Sequence, residues 1–590
     1  EINDEWIADL SYLKQKTDSG SYSGFDPNVG DLKAIRYNEE FYKTDYNITS
    51  LVVEGDLGFA QLVSATSYYK GDVEFDQDIT NYHKAYSAYY CIEYAGDAAY
   101  YAPYYQPTSG GQGFMYAAGN YCHAPTVEGD YLAAFYETEN SDRFSQEIRL
   151  SNQGDTYDWL IGAFYEDSSY GWVENFGYVT ANENGRQTTP GVAGSLYQDS
   201  IALAYYEWAN GESYPDATET WYSKSVSNAE QTAIFGEVVW HMNESTDITV
   251  GARHFDREDI TDYYEEHPTG NLDVDPNFAN GITRMIGKTK EFVPKVSIKY
   301  NLDDDSMIYA LWTIGYRPGG TNRQRGDAAF PKQYQADKMI NYEAGYKGSF
   351  ADNTATLSLT AFAMQWDDYQ FELIDPSFGP CDDESVDAIP GICGQPYQVG
   401  VFNAGDAHIN GVNAQFDWNP TDNISLGMNM EWLDAETDTV LELGDAYVEE
   451  GTSLPLTPDL TGGIWATYNW TVPSLGANAY ARVQWSYSGS RSSGLQYTPF
   501  ANDDGSLNPF PSWENPSYDI GDLSVGLQGD DWEVSAFLKN ITDERVFYGH
   551  ASQGGYTQQN VEEGRMHVDT VYTNRPREFG VRIIKRFGGS

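Results

Sequence analysis

The sequence predicts an all-β fold, an antiparallel transmembrane β-barrel with short turns at one end and long loops at the other. Three observations carry this reading. Apolar and polar residues alternate with period two along the whole chain, the pattern of strands with one apolar and one polar face. No segment holds a 3.6-residue period over three turns, and no run approaches 18 apolar residues, so a helical membrane bundle is excluded. The connections fall into two lengths, and these alternate.

In chain order, the first strand is expected at 4–14, with Trp6, Ala8, Leu10 and Tyr12 on one face. Seventeen more follow between about residues 42 and 587, which makes eighteen. Short polar turns are expected near Gly55–Gly58, Asn152–Thr156, Asn243–Thr246, Leu302–Asp305, Ala351–Asn353, Asn419–Asn423 and Gly529–Asp531. Between these hairpins lie long segments at about 78–141, 171–225, 259–288, 318–338, 375–399, 438–458, 491–516 and 548–572. Structureless loops of more than about 15 residues are uncommon in a soluble sandwich, and here they recur. A closed barrel also leaves no strand edge exposed.

The alternation is clearest late in the chain. Ile424, Leu426, Met428, Met430 and Trp432 share one face, as do Trp532, Val534, Ala536 and Leu538, and then Phe579, Val581 and Ile583. Both ends of the eighteen strands fall on the short-turn side. That suits a self-contained 18-stranded barrel, and equally the later part of a larger one.

Composition removes other classes. The 590 residues carry 34 Lys+Arg against 89 Asp+Glu, a net charge of −55, so nucleic acid is not an expected partner. A content of 41% hydrophobic and 15% aromatic residues separates the chain from acidic disordered ones. No basic segment followed by an apolar one opens the chain at Glu1, so any secretory signal is expected to have been removed or to lie upstream.

Catalytic patterns are absent. The eight histidines are scattered with no HExxH, and there is no GxSxG elbow, Walker loop or GxGxxG after a strand. Asp273, Asp275 and Asn277 begin like a calcium loop, but Phe278 and Arg284 stand where glycine and glutamate belong. A solvated acidic loop is the simpler reading there, with an irregular surface Ca²⁺ or Mg²⁺ site as the alternative. The expectation is no enzyme, no cofactor and no metal.

Cys91, Cys122, Cys381 and Cys393 lack CxxC spacing and a companion histidine set, which disfavours zinc. Two disulfides in an oxidising compartment, Cys91–Cys122 and Cys381–Cys393, close the shortest loops. Four unpaired thiols are the alternative. Eleven tyrosines lie between 82 and 121, among them Tyr89, Tyr90, Tyr100, Tyr101, Tyr104 and Tyr105. Tyrosine offers a flat apolar face and a hydroxyl at low entropic cost, which suits ligand binding. Most of these rings are expected to pack the loop itself, with a few turned to ligand. Arg317 and Arg323 stand just beyond a strand on the long-loop side. They are candidates to oppose an anionic chelate, or ordinary rim residues paired to acids. Trp221, Trp366 and Trp432 are read as interfacial belt residues.

Several segments carry a family resemblance. They are Phe144–Ser151 with Trp159–Tyr165, Gly315–Gly320 leading to Asn341–Lys347, Asn403–Val412, Leu538–Asp543, and Arg575–Arg582 through Phe587. In this order they resemble the barrel of TonB-dependent outer-membrane receptors of the iron-complex type. The resemblance implies a 22-stranded barrel closed by an N-terminal plug and driven through a TonB-type energy-coupling protein. About 18 strands are visible and no plug, so residues 1–590 are expected to be the later part of the barrel, with plug and first strands elsewhere. The Gly588–Ser590 tail departs from the family's aromatic ending.

The implied function is active uptake of a scarce nutrient, most often a ferric siderophore, across a Gram-negative outer membrane. The implied partners are outer-membrane lipid, the energy-coupling protein, the small-molecule ligand and a separate plug or lid subunit. The rivals are a passive 18-stranded porin, a structural or adhesion role, and import of a glycan or other aromatic-stackable ligand.

Overall fold

The structure is a computed structural model. It describes residues 5–20, 24–27, 29–79, 133–178, 221–266, 283–322, 330–374, 399–403, 405–443, 446–492, 500–501, 507–508, 514–552 and 569–587. Among the described residues eighteen strands form one antiparallel sheet. They are β1 (Trp6–Ser19), β2 (Phe41–Asp56), β3 (Gln61–Asp78), β4 (Ala133–Asn152), β5 (Tyr157–Tyr178) and β6 (Trp221–Asn243). Then come β7 (Thr246–Glu266), β8 (Thr283–Asn301), β9 (Ser306–Arg317), β10 (Asp337–Phe350), β11 (Ala355–Asp367) and β12 (Ala407–Thr421). The last are β13 (Ile424–Thr437), β14 (Leu460–Val472), β15 (Ala477–Ser488), β16 (Tyr518–Gln528), β17 (Trp532–Lys539) and β18 (Glu578–Lys585).

Each strand pairs with the next in sequence, from β1–β2 through β17–β18. This up-and-down meander is the predicted topology, with the predicted strand count. Among the described residues β1 and β18 keep one edge each without a ladder partner. The loops from the two ends of the sheet nevertheless meet, because Phe25 and Val571 form a bridge.

Two details differ from the sequence reading. An eighth short turn, the Pro473–Leu475 3-10 turn, joins β14 to β15 and closes on Gly476 at φ 56, a left-handed conformation that glycine adopts freely. The strands also reach further into the expected long segments: β4 starts at Ala133, β5 runs to Tyr178, and β7 runs to Glu266. Along β4 the stretch 137–143 is polar on both faces, so the apolar alternation that marks a strand is interrupted there.

The apolar faces point outward. On β6 the exposed row is Ile234 (65% exposed), Val238, Trp240 and Met242; on β8 it is Phe292 (62%), Val296, Ile298 and Tyr300. Met428, Met430 and Trp432 on β13, and Phe579, Val581 and Ile583 on β18, are exposed on the predicted faces. Such a belt, about 25 Å tall and edged by aromatics, is what a barrel presents to lipid. Above it the outward face turns ionic. Lys290–Asp256 (2.5 Å), Lys288–Glu258 (3.1 Å) and Arg284–Asp262 (2.6 Å) ladder up β7 and β8. The strands therefore project beyond the lipid on the long-loop side.

The inward face carries fixed charge. Lys295 pairs with Glu237 at 2.5 Å, Lys299 with Asp247 at 2.7 Å and Arg257 with Asp259 at 2.6 Å. Arg253 lies over the rings of Phe164 (5.2 Å) and Phe235 (5.5 Å).

Candidate functional site: the long-loop rim

Arg317 ends β9 and Asp337 begins β10, and the two are register partners. The backbone N–H of Arg317 donates to Asp337 Oδ1 at 3.1 Å and its Nε donates to Oδ2 at 2.8 Å. Nη2 donates to the same oxygen, so both guanidinium donors converge on Oδ2 while the backbone N–H holds Oδ1, a charge-assisted contact. Trp366 Nε1 and the Gln370 N–H, each at 3.0 Å, also donate to Asp337 Oδ2. Asp337 is 1% exposed. A buried carboxylate with this many donors is one whose desolvation is offset.

The guanidinium lies 4.6 Å over the Trp366 ring and 5.4 Å from that of Tyr369. Its Nη2 also donates to the Gln370 carbonyl at 2.7 Å. Arg317 is thus engaged on its polar edge and on its face. Trp366, read from sequence as a belt residue, packs instead on the inner side of the rim, against Tyr369 at 4.5 Å and the buried cluster of Ala407, Ala435 and Leu454. Its parity on β11 is opposite to the exposed Leu359, which sequence alone does not reveal near a strand end. Trp432 does stand on the outer face, 47% exposed. The side chain of Trp221 lies outside the described residues.

Aromatic packing continues inward from Tyr369 through Phe371 (5.9 Å) to Phe402 (6.4 Å) and Phe330 (5.9 Å). Burial pushes the Tyr369 phenol up from its ordinary pKa. Amide side chains then sew the loops together. Asn403 Nδ2 donates to the carbonyls of Gln335 (3.0 Å) and Asp368 (2.9 Å), and its Oδ1 accepts from the Gln335 N–H at 2.7 Å. Asn322 does the same for Pro331 and Val401. Gly405, at φ +86, accepts from the Tyr369 N–H at 2.8 Å. Two of the segments that carry the family resemblance are therefore rim fasteners.

A second wall of the rim is acidic. Glu137 and Glu174 are register partners on β4 and β5, and Ser223 Oγ donates to Glu174 Oε2 at 2.8 Å. Glu137 lies 15 residues from the Asn152 end of β4, a lift of about 38 Å for a strand tilted by 40°, which clears the belt. Burial, then the charges of Glu174 and Glu139, push the Glu137 carboxyl up to about 8.

Of the candidates named from sequence, the structure places Arg317 at this rim. Arg323, the tyrosines 89, 90, 100, 101, 104 and 105, and all four cysteines lie outside the described residues. Asp337, Gln370 and Asn403 were missed, because their roles depend on partners tens of residues away. One further grouping was invisible in the linear spacing of histidines. His408, Asp434 and Glu436 bring one ligand atom each within 4.8 Å of one another.

Comparison with known proteins gives concordant results. A family model described as "TonB dependent receptor-like, beta-barrel" matches residues 3–541. The Pesticin receptor of Yersinia enterocolitica is 24% identical over 313 residues, covering 52% of this chain and 41% of that receptor. The chain thus spans well under half of the length of this curated relative. The ferric yersiniabactin uptake receptor FyuA from Yersinia pestis superimposes with a TM-score of 0.62 at 15% identity, over 99% of this chain and 68% of that one. The siderophore receptor PiuA from Acinetobacter baumannii gives 0.57 at 13% identity, over 98% and 72%. At such identities the structural likeness speaks for the fold alone. The relatives are receptors and transporters rather than enzymes.

Proposed function

The chain belongs to the family of TonB-dependent receptor-like β-barrels, and from that membership we propose that it forms the barrel of an energy-coupled importer in a Gram-negative outer membrane, with a ferric siderophore or similar iron complex as cargo. The observation that carries the reading is the family match over residues 3–541 on a meander whose outward face is an apolar belt. The relatives named for iron-complex uptake support the cargo class. In this reading residues 1–590 are the later part of a 22-stranded barrel with its plug elsewhere.

In this mechanism the long loops capture the ligand, and a plug coupled to a TonB-type protein changes state to release it inward. The work is differential binding between two states and involves no bond making. The loop tyrosines at 89, 90, 100, 101, 104 and 105, with Arg323, are the proposed ligand contacts. Arg317 supports them by holding the rim through Asp337. The pairs Cys91–Cys122 and Cys381–Cys393 are the proposed loop staples, which lower the entropy cost of ordering the mouth.

The test is uptake of radio-iron siderophores by cells expressing the full-length protein, with and without a proton-motive force. Accumulation that stops on de-energising supports the importer. Flux that persists unchanged, with steady conductance in planar bilayers, establishes a passive porin instead.

A further inference from the structure

Beyond the transport reading, the outer face of β12 and β13 carries a grouping that lies off the lumen. His408 and Glu436 are register partners. Asp434 follows Trp432 on the same outward face, one step above the belt. The three ligand atoms lie within 4.8 Å of one another, and all three residues are half-buried. Donors on one Zn²⁺ stand at most about 4.2 Å apart, twice the ~2.1 Å ligand distance. Small side-chain rotations close the remaining gap.

The histidine is already oriented. Its Nδ1 lies 2.6 Å from Asp438 Oδ1, and its Nε2 lies 3.7 Å from Asp434 Oδ2. With one proton on Nδ1 and donated to Asp438, the ring leaves the Nε2 lone pair on the side of Asp434. A carboxylate that fixes the tautomer from behind is the usual companion of a metal-bound imidazole. The backbone around it is fastened too. The Asp438 N–H donates to the Asp406 carbonyl at 2.8 Å, the Gly451 N–H donates to the Thr437 carbonyl at 2.8 Å, and Thr437 Oγ1 donates to the Glu449 carbonyl at 2.8 Å. An exchange of lysine for any member would abolish the set, whereas one nitrogen and two carboxylate oxygens suit a first-row divalent cation.

We propose that His408, Asp434 and Glu436 bind a divalent cation of the Zn²⁺ class, with Asp438 as the residue that positions the imidazole. The bound cation clasps β12 to β13 just above the lipid, outside the path of any cargo.

The experiment uses the full-length protein in detergent, stripped with chelator at pH 7.5 and titrated with Zn²⁺ by calorimetry and with Co²⁺ by absorption. Wild type should bind one equivalent that H408Q loses by at least about 100-fold and D438N by about 10–100-fold, the usual cost of removing a ligand or its orienting partner. The Co²⁺ ligand-field band should vanish in H408Q and shift in D438N, which a purely structural role would not produce. E436Q serves as the second variant if H408Q does not fold, with retained fold read from the heat-modifiable gel shift. Absence of a saturable equivalent in folded wild type, or affinity unchanged in H408Q and E436Q, overturns the proposal.

Discussion

Phe25 and Val571 exchange both backbone hydrogen bonds, Phe25 N–H to the Val571 carbonyl at 3.0 Å and Val571 N–H to the Phe25 carbonyl at 2.8 Å. Both side chains are buried, at 6% and 0% exposed. Arg545 adds an ion pair to Asp31 at 2.9 Å. The loop after β1 and the loop before β18 are thereby fastened across the seam of the sheet.

Phe25→Ala should cost about 3–5 kcal/mol, the usual loss for a buried phenylalanine, and should open the seam. Arg545→Ala should cost under about 1 kcal/mol, because its Asp31 partner is largely exposed. Urea unfolding in detergent, with limited proteolysis at 24–38, measures both. Equal effects would show that the ion pair fastens the seam as strongly as the apolar contact does.

Asp337→Ala should destabilise the rim by about 1–3 kcal/mol, since it strands the Trp366 Nε1 and Gln370 N–H donors while the half-exposed Arg317 regains water. Asp337→Asn keeps one acceptor and should cost less. Hydrogen exchange at the Arg317 and Gln370 amides, both donors to Asp337, checks this directly. Protection unchanged in the alanine variant would refute it.

The opposed faces of Trp366 and Trp432 give an optical prediction. In vesicles of brominated lipid, Trp432→Phe should remove a quenched component of the tryptophan emission, and Trp366→Phe should remove an unquenched one. The reverse result would put Trp366 in the belt.

The raised Glu137 carboxyl sets a pH dependence. A carboxyl that titrates near 8 in the folded state and near 4.3 when unfolded binds more protons folded than unfolded in between. Its stabilising contribution is therefore present below about pH 4 and is lost as pH rises to 8. Glu137→Gln should leave stability at pH 4 unchanged and raise it increasingly toward pH 8. Denaturation at pH 4, 6 and 8 measures the slope, and parallel wild-type and variant curves would exclude the coupling.

The proposed staples predict a mass map. Peptic digestion without reductant should yield Cys91–Cys122 and Cys381–Cys393 as linked peptides, and reduction should weaken ligand binding by loosening the loops. Four alkylatable thiols in the native protein would remove the staples from the proposal.

Much of the fold was legible because a lipid-facing strand writes its environment into every second residue. Ile424 through Trp432 and Phe579 through Ile583 announced both the strand and its outward face. Where β4 leaves the lipid, between Glu137 and Arg143, both faces become polar and the written period fades, so the sequence places the start of that strand too late. The Pro473–Leu475 turn was overlooked for a related reason, since its flanking residues continue the apolar pattern with little polar interruption.

The site was far less legible. Arg317 could be named as a rim residue from its place after a strand, but its partner lies 20 positions on, and the ring beneath it, Trp366, nearly 50. The sequence by itself determined the all-β meander, its eighteen strands, the short-turn and long-loop ends, and the outward apolar faces. Each depends only on neighbours along the chain and on one solvent boundary. The tertiary structure decided which charges are spent on the rim, which tryptophan meets lipid, and that His408 stands beside Asp434 and Glu436. Those outcomes depend on register between strands, and register is fixed by the sum of many pairings that no single segment contains.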